Sequence, residues 1–171
     1  MIIFKKATLE DIKTVVTAIM NLKNTNSCIT DAEAYEFIDH CYYAYDQDLN
    51  SVVGIVAATR EILTETSELN GETVETHPHR YKIVYMLGDD YAIEEYSSPQ
   101  NLQSVMVYLV RELTADMNDW SVWVDTNDIF VSDDFYNVSL YRALRSNYFR
   151  PHKTESNLMI RTMPVNFDRL H

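Results

Sequence analysis

Residues 94–110, EEYSSPQNLQSVMVYLV, read as a strand that stops, a sharp turn, and a helix whose first turn begins Ser98-Pro99-Gln100. Serine suits the N-cap because its hydroxyl accepts an orphan N–H, and proline suits the next position because it has no N–H to leave unpaired. Leu102, Val105, Met106, Leu109 and Leu113 then fall on one face of the helix, which makes its methionine and tyrosine stripe core. A strand feeding a helix N-terminus is how a chain builds an anion site, since unpaired N–H groups and the positive dipole end converge there. No glycine lies in this turn, which restricts how closely a ligand can approach the backbone.

Outward from this turn the pattern is of helices framing a sheet. IIFKKA reads as a strand, and Thr8 with Asp11 makes a near capping box before Ile12, Val15, Val16 and Ile19 at helical spacing. Thr30 with Glu33 repeats the device ahead of Ala34, Phe37, Ile38 and Cys41, which predicts a second helix. The stretches CYYAYD, SVVGIVAAT, RYKIVYML and YAIEEY are strand-like, with QDLN as a turn. Residues 64–79 are polar, carry Gly71 and Pro78, and read as a long connection or extended hairpin end. Beyond the third helix come the strand WSVWVD and a fourth helix over SDDFYNVSLYRALRS, with Ser132 as its cap. Two short strands, YFR and NLMIRTM, close the chain.

A chain of 171 residues, 46% hydrophobic, is long enough for one domain with one sizeable core, expected over residues 1–171. No run of about eighteen apolar residues occurs and the start MIIFKKATLEDIK is unlike a signal peptide, so a cytoplasmic protein with no membrane partner is expected. Cys28 and Cys41 have no metal or redox spacing and read as packing residues. A net charge of −12 argues against nucleic acid and favours a cationic partner. Residues 141–171 invert that balance, with Arg142, Arg145, Arg150, Lys153, Arg161 and Arg169 against Glu155 and Asp168. His77-Pro78-His79 reads as an exposed turn rather than a metal site, and Asn137-Val138-Ser139 matches a glycosylation pattern by chance.

The element order β-α-α-β-β-β-α-β-α-β-β resembles the GNAT superfamily of N-acetyltransferases. Three stretches carry the likeness. IIFKKATLEDIKTVV is similar to that family's opening strand and helix, LNSVVGIVAA to its central "ivG" strand, and YNVSLYRALRSNYFR with LMIR to its A-x-x-L-Y-x-x-x-G-F helix and closing strand. The resemblance implies an α/β fold of α+β type, with a mixed, mostly antiparallel central sheet flanked by four helices. It also implies acetyl-CoA as acyl donor, with its pyrophosphate at the start of the third helix. The family motif there is R/Q-x-x-G-x-G/A; with Gln100 first, Gln103 and Val105 replace the small residues. Ser98, Gln100, Asn101, Gln103 and Ser104 are the cofactor-binding residues this alignment implies, with Arg142 and Arg145 for the phosphates.

Acetyl transfer to an amine needs a base, because an alkyl ammonium has a pKa near ~10.4, and an acid for the leaving thiolate. Glu94 and Glu95 on the strand into the turn, and Asp125 at the end of the next strand, are the candidate bases; adjacent strand residues face opposite ways, so only one glutamate can enter the cleft. Tyr141 resembles the family's general acid, but it precedes Asn147 by six residues where the family tyrosine precedes its glycine by four. Asn147 is the expected stand-in for that glycine, since asparagine tolerates the left-handed conformation. The expected function is N-acetyl transfer to an amine-bearing small molecule or peptide by a monomer or homodimer. The alternative is a protein of this fold that has lost the cofactor and acts as an acidic interaction module.

Overall fold

The computed structural model describes residues 1–23, 29–89, 105–117, 121–130 and 134–162. Strands β1 (Ile2–Lys6), β2 (Cys41–Asp46), β3 (Ser51–Ile62), β6 (His79–Gly88), β7 (Ser121–Asp125), β8 (Arg150–Pro151) and β9 (Leu158–Arg161) form one seven-stranded sheet in the order β1-β2-β3-β6-β7-β9-β8. Every neighbouring pair is antiparallel except β6–β7. β3 is apolar on both faces because helices cover both. On one face α3 (Val105–Asp116) and α5 (Asp134–Ser146) pack Leu109, Leu113, Leu140 and Leu144 against Val53, Val56, Ile83 and Met86. On the other, α1 (Ile12–Lys23), α2 (Asp31–Ala34) and the turn after it pack Val15, Ile19, Ala34 and Phe37 against Ile55 and Ala57. The expected mixed, mostly antiparallel architecture is therefore observed.

The caps read at Thr8 and Thr30 are in place, while those read at Ser98 and Ser132 lie outside the described residues. The Thr8 N–H donates to Asp11 at 2.8 Å, and the Glu33 N–H donates to the Thr30 hydroxyl at 3.2 Å. The second helix is much shorter than its apolar spacing predicts. It stops at Ala34, a 3-10 turn covers Ile38–His40, and Cys41 opens β2 opposite Ala57. Ala34, Phe37 and Ile38 all reach the same core, so burial is satisfied without continuous helix. Cys41 is fully buried, and burial pushes its thiol up to about 12, as expected of a packing residue; Cys28 lies outside the described residues.

Residues 64–79 form a hairpin, β4 (Glu65–Leu69) and β5 (Glu72–Thr76), joined by Asn70-Gly71 with φ of 55° and 80°. Both central residues have the left-handed backbone of a type I′ turn, which Asn-Gly favours. A short helix not anticipated from the sequence, α4 (Thr126–Ile129), follows β7.

Candidate active site

The seam between β6 and β7 is the one parallel contact among the described strands, and it is short. Arg80 pairs with Ser121, Tyr81 with Val122 and Lys82 with Trp123. At this closed end the Trp123 ring lies 4.0 Å from the Arg80 guanidinium and 5.0 Å from the Lys82 ammonium, a pair of cation–π contacts. The cations are in turn bridged to Glu61 at 3.3 Å and Asp128 at 3.2 Å.

Beyond Lys82 the strands part, for a local reason. The β3–β6 register steps from Ala58↔Ile83 to Ala57↔Tyr85, so Val84 is an extra residue, and a bulge of this kind bends and twists its strand. Each strand is then tied to its outer neighbour. Gly88 pairs with Gly54, and the Asp89 N–H donates to Val53 O at 3.0 Å. On the other side the Thr126 N–H and hydroxyl donate to Asn157 O at 2.8 and 2.9 Å, while Asn157 Nδ2 donates to Asp125 Oδ1 at 3.0 Å. The result is a V that opens toward Gly88 and Asp125.

Tyr136, near the start of α5, reaches the edge of β6 that faces away from β3. Its hydroxyl accepts from the Gly88 N–H and donates to Met86 O, both at 3.2 Å. Burial pushes this phenol above the ordinary tyrosine range, partly offset by the Gly88 N–H. Two of the chain's three glycines, Gly54 and Gly88, face each other at the mouth. A Cβ on Gly54 would stand 3.1 Å from Leu109 Cδ1 and 3.4 Å from Val105 Cγ1. Gly54 is therefore what lets the first turns of α3 lie down on β3 beside the opening.

No protein-family model matches the sequence, and no curated protein matches it. Solved structures do. The chain is similar to Arabidopsis thaliana NAA60, solved in complex with a bisubstrate analogue, at 10% identity and a TM-score of 0.57 over 94% of this chain and 98% of that one. It is also similar to a mosquito arylalkylamine N-acetyltransferase like 5b, at 10% identity and a TM-score of 0.55 over 94% and 99% of the two chains. The chain has the GNAT N-acetyltransferase fold.

In the GNAT frame, the residue that takes the left-handed backbone before Phe149 is Tyr148, with φ of 71°, and not Asn147. The Tyr148 N–H donates to Arg145 O at 3.1 Å and the Phe149 N–H to Leu144 O at 3.1 Å, a Schellman closure of α5. Asn147 is drawn inward instead, its Nδ2 donating to Val107 O at 3.1 Å and Ala143 O at 2.8 Å. Counting four residues back from Tyr148 reaches the buried Leu144, so the tyrosine of the GNAT helix pattern has no counterpart at that position.

The sequence-derived candidates separate accordingly. Tyr141 is 40% exposed, with the Arg145 guanidinium 5.9 Å from its ring, and Arg142 and Arg145 are exposed with it. Tyr136 and Tyr141 are five positions apart, roughly 140° around a helix, so a face that brings one to β6 turns the other outward. Asp125 caps α4, with its Oδ1 accepting from the Asn127 N–H at 3.0 Å as well as from Asn157. Glu94, Glu95, Ser98, Gln100, Asn101, Gln103 and Ser104 lie outside the described residues. Tyr136 was missed because its helical position reads as ordinary packing, and only the path of β6 shows what its hydroxyl meets.

On the α2 side of the same opening, the Tyr85 ring meets Phe37 edge-on with centroids 5.3 Å apart. Burial, and then the Glu33 charge, push the Tyr85 phenol up. The V thus presents a different chemistry on each face: a phenol hydroxyl bonded to backbone on the α5 side, and an aromatic wall near a carboxylate on the other.

Proposed function

We propose that the chain is an N-acetyltransferase that moves an acetyl group from acetyl-CoA to an amine of a small molecule or peptide. The opening between β6 and β7 carries this reading. Its β6 edge offers a C=O and an N–H, at Met86 and Gly88, which among the described residues meet one exchangeable side-chain hydroxyl, that of Tyr136. That donor and acceptor pair fits an extended ligand bearing amide groups, and Gly54 keeps α3 close beside it. Acetyl-CoA, when bound, supplies the acetyl thioester.

The chain's own groups have separable roles in this proposal. β6 backbone N–H groups orient the acyl carbonyl and stabilise charge developing on its oxygen. Tyr136 Oη, kept protonated at neutral pH by burial, is the donor of the proton that acyl transfer must return to the leaving group. Glu94, Glu95 or Asp125 relieves the acceptor ammonium of its proton. The acceptor approaches from the α2 face, where Glu33 and the net charge of −12 favour a cation. Ser98, Gln100, Asn101, Gln103, Ser104, Arg142 and Arg145 are the proposed contacts for the cofactor's phosphates.

Calorimetric titration with acetyl-CoA tests the reading directly. Saturable binding is expected, together with acetylation of at least one member of a polyamine and peptide-amine panel. Tyr136→Phe should keep the binding and lower turnover by about tenfold or more. Absence of any heat at millimolar cofactor would overturn the proposal in favour of an interaction module.

A further inference from the structure

The two faces of the V can be told apart strand by strand. On β7, Val122 and Val124 are fully buried in the core beneath α3 and α5, so Trp123 and Asp125 stand on the opposite face of the sheet. On β6 that opposite face carries Arg80 and Lys82, which meet the Trp123 ring, and then Tyr85 and Leu87, which join the core under α1 and α2. Tyr136 packs with the α3 and α5 core. Asp125 and the Tyr136 phenol therefore belong to opposite faces of the opening, and Asp125 is on the side proposed for the acceptor amine.

Of the carboxylates along the seam, Glu61 is bridged to Arg80 at 3.3 Å and Asp128 to Lys82 at 3.2 Å, so each already has a cation. Asp125 is held by neutral amides instead. Its Oδ1 accepts from the Asn127 N–H and from Asn157 Nδ2, both at 3.0 Å; among the described residues both of its bonds fall on that oxygen, which leaves Oδ2 over. The Asn127 bond is all that capping α4 requires. The bond from Asn157 is an addition, and Asn157 is itself anchored, its C=O accepting the Thr126 N–H at 2.8 Å and the Thr126 hydroxyl at 2.9 Å. One asparagine from the connection between β8 and β9 thus fixes the rotation of a half-buried carboxylate at the end of β7.

We infer that Asn157 is a positioning residue for proton transfer: it holds Asp125 by Oδ1 so that Oδ2 is the base for the acceptor ammonium. This rests on the acetyl-transfer reading proposed above. Asp125 Oδ2 takes a proton from the ammonium, breaking one N–H bond and freeing the nitrogen lone pair to attack the thioester carbonyl. Asp125 then passes that proton to water. Tyr136 gives its proton to the leaving sulfur as the C–S bond breaks and regains one from the acylated nitrogen, so each turnover releases one proton.

The test is the pH dependence of acetylation by the full chain, with spermidine, phenylethylamine and a tripeptide bearing a free α-amine as acceptors. Asp125→Asn keeps an oxygen for both donors and removes only the charge; turnover at pH 7 should fall by about a hundredfold. Asn157→Leu should cost about tenfold. Both variants should bind acetyl-CoA as the parent does, measured by calorimetry. For the alkylamines both losses should shrink as pH approaches about 10.4, where the acceptor deprotonates unaided, and for the α-amine they should shrink near about pH 8. A role confined to folding would lower turnover equally at every pH. If Asn157→Leu does not fold, Asn157→Ser, which keeps the backbone bonds to Thr126, takes its place. Unchanged turnover in either variant at pH 7, or a loss that does not vary with pH, overturns the inference while an active parent leaves the acetyl-transfer reading standing. A parent that binds no acetyl-CoA, or acetylates none of the three amines, overturns that reading and the inference with it.

Discussion

Within a few residues, the seam between β6 and β7 passes from closed to open, and the two ends are held by different forces. At the closed end, three register pairs and an indole ring beside two cations bind the strands to each other. At the open end nothing described pairs the strands directly, yet neither is loose. β6 is tied outward to β3 through Gly54↔Gly88, and β7 outward to β9 through Asn157. The opening is thus a built feature, maintained by bonds that face away from it and by one phenol that reaches in from α5.

If that account is right, the largest effect should come from changing the shape of the mouth. Gly54→Val places a branched side chain where even a Cβ is 3.1 Å from Leu109. Overpacking of this kind should cost about 1–3 kcal/mol, read as a lower urea midpoint, and should lift α3 from β3. A variant as stable as the parent would mean that α3 does not depend on Gly54.

A smaller effect is expected from the bond across the V. Tyr136→Phe leaves the Met86 carbonyl and the Gly88 N–H without their phenol partner. Stability should fall by about 1–2 kcal/mol, with faster amide exchange at Gly88 than elsewhere on β6. Exchange that rises evenly along the strand would show that the hydroxyl is not a specific tie.

At the closed end, Trp123→Leu keeps apolar bulk but removes the ring facing Arg80 and Lys82. Thermal unfolding should report a loss of about 0.5–1 kcal/mol, the scale of partly exposed cation–π contacts. A loss larger than that from Tyr136→Phe would reverse the ranking of the two ends.

The weakest expected signal is a pH dependence away from the seam, at His40. Burial lowers the His40 pKa despite the nearby Asp39, and its buried Nδ1 has no hydrogen-bond partner. The unfolded chain therefore takes up this proton more readily than the folded one. The contribution is fully present above the ordinary histidine value of about 6.5 and is lost as pH falls through the lower folded value. Urea unfolding between neutral and mildly acidic pH should show a shallower acid decline for His40→Gln than for the parent. An identical decline would assign the slope to other groups.

Local rules read from the chain served well wherever neighbours in sequence are neighbours in space. The boxes at Thr8 and Thr30, the stripe through Leu109 and Leu113, and the double-sided burial of SVVGIVAAT all depend on spacing alone. Failures came where a distant partner intervened. Helical spacing through Cys41 lost to strand pairing with Ala57, and Asn147 was taken from the turn by the Val107 carbonyl, leaving Tyr148 to adopt the left-handed backbone. The site was harder to read for the same reason. Tyr136 matters because β6, past the register shift at Val84, presents Met86 and Gly88 to it, and no local pattern links those positions.

The β4–β5 hairpin projects as a two-stranded ribbon whose residues are exposed except for the half-buried Val74. With no third strand on either side among the described residues, it carries two unpaired edges, the template along which chains join into extended sheets. Glu65, Glu68, Glu72 and Glu75 lie along it, and their mutual repulsion sets the ribbons of separate molecules apart. Replacing them with glutamine, as in Glu68→Gln with Glu72→Gln, would weaken that repulsion while leaving the edges unchanged. Self-association of this protein is therefore tied to a handful of glutamates on one ribbon, and light scattering should find the doubly substituted chain to associate more readily than the parent.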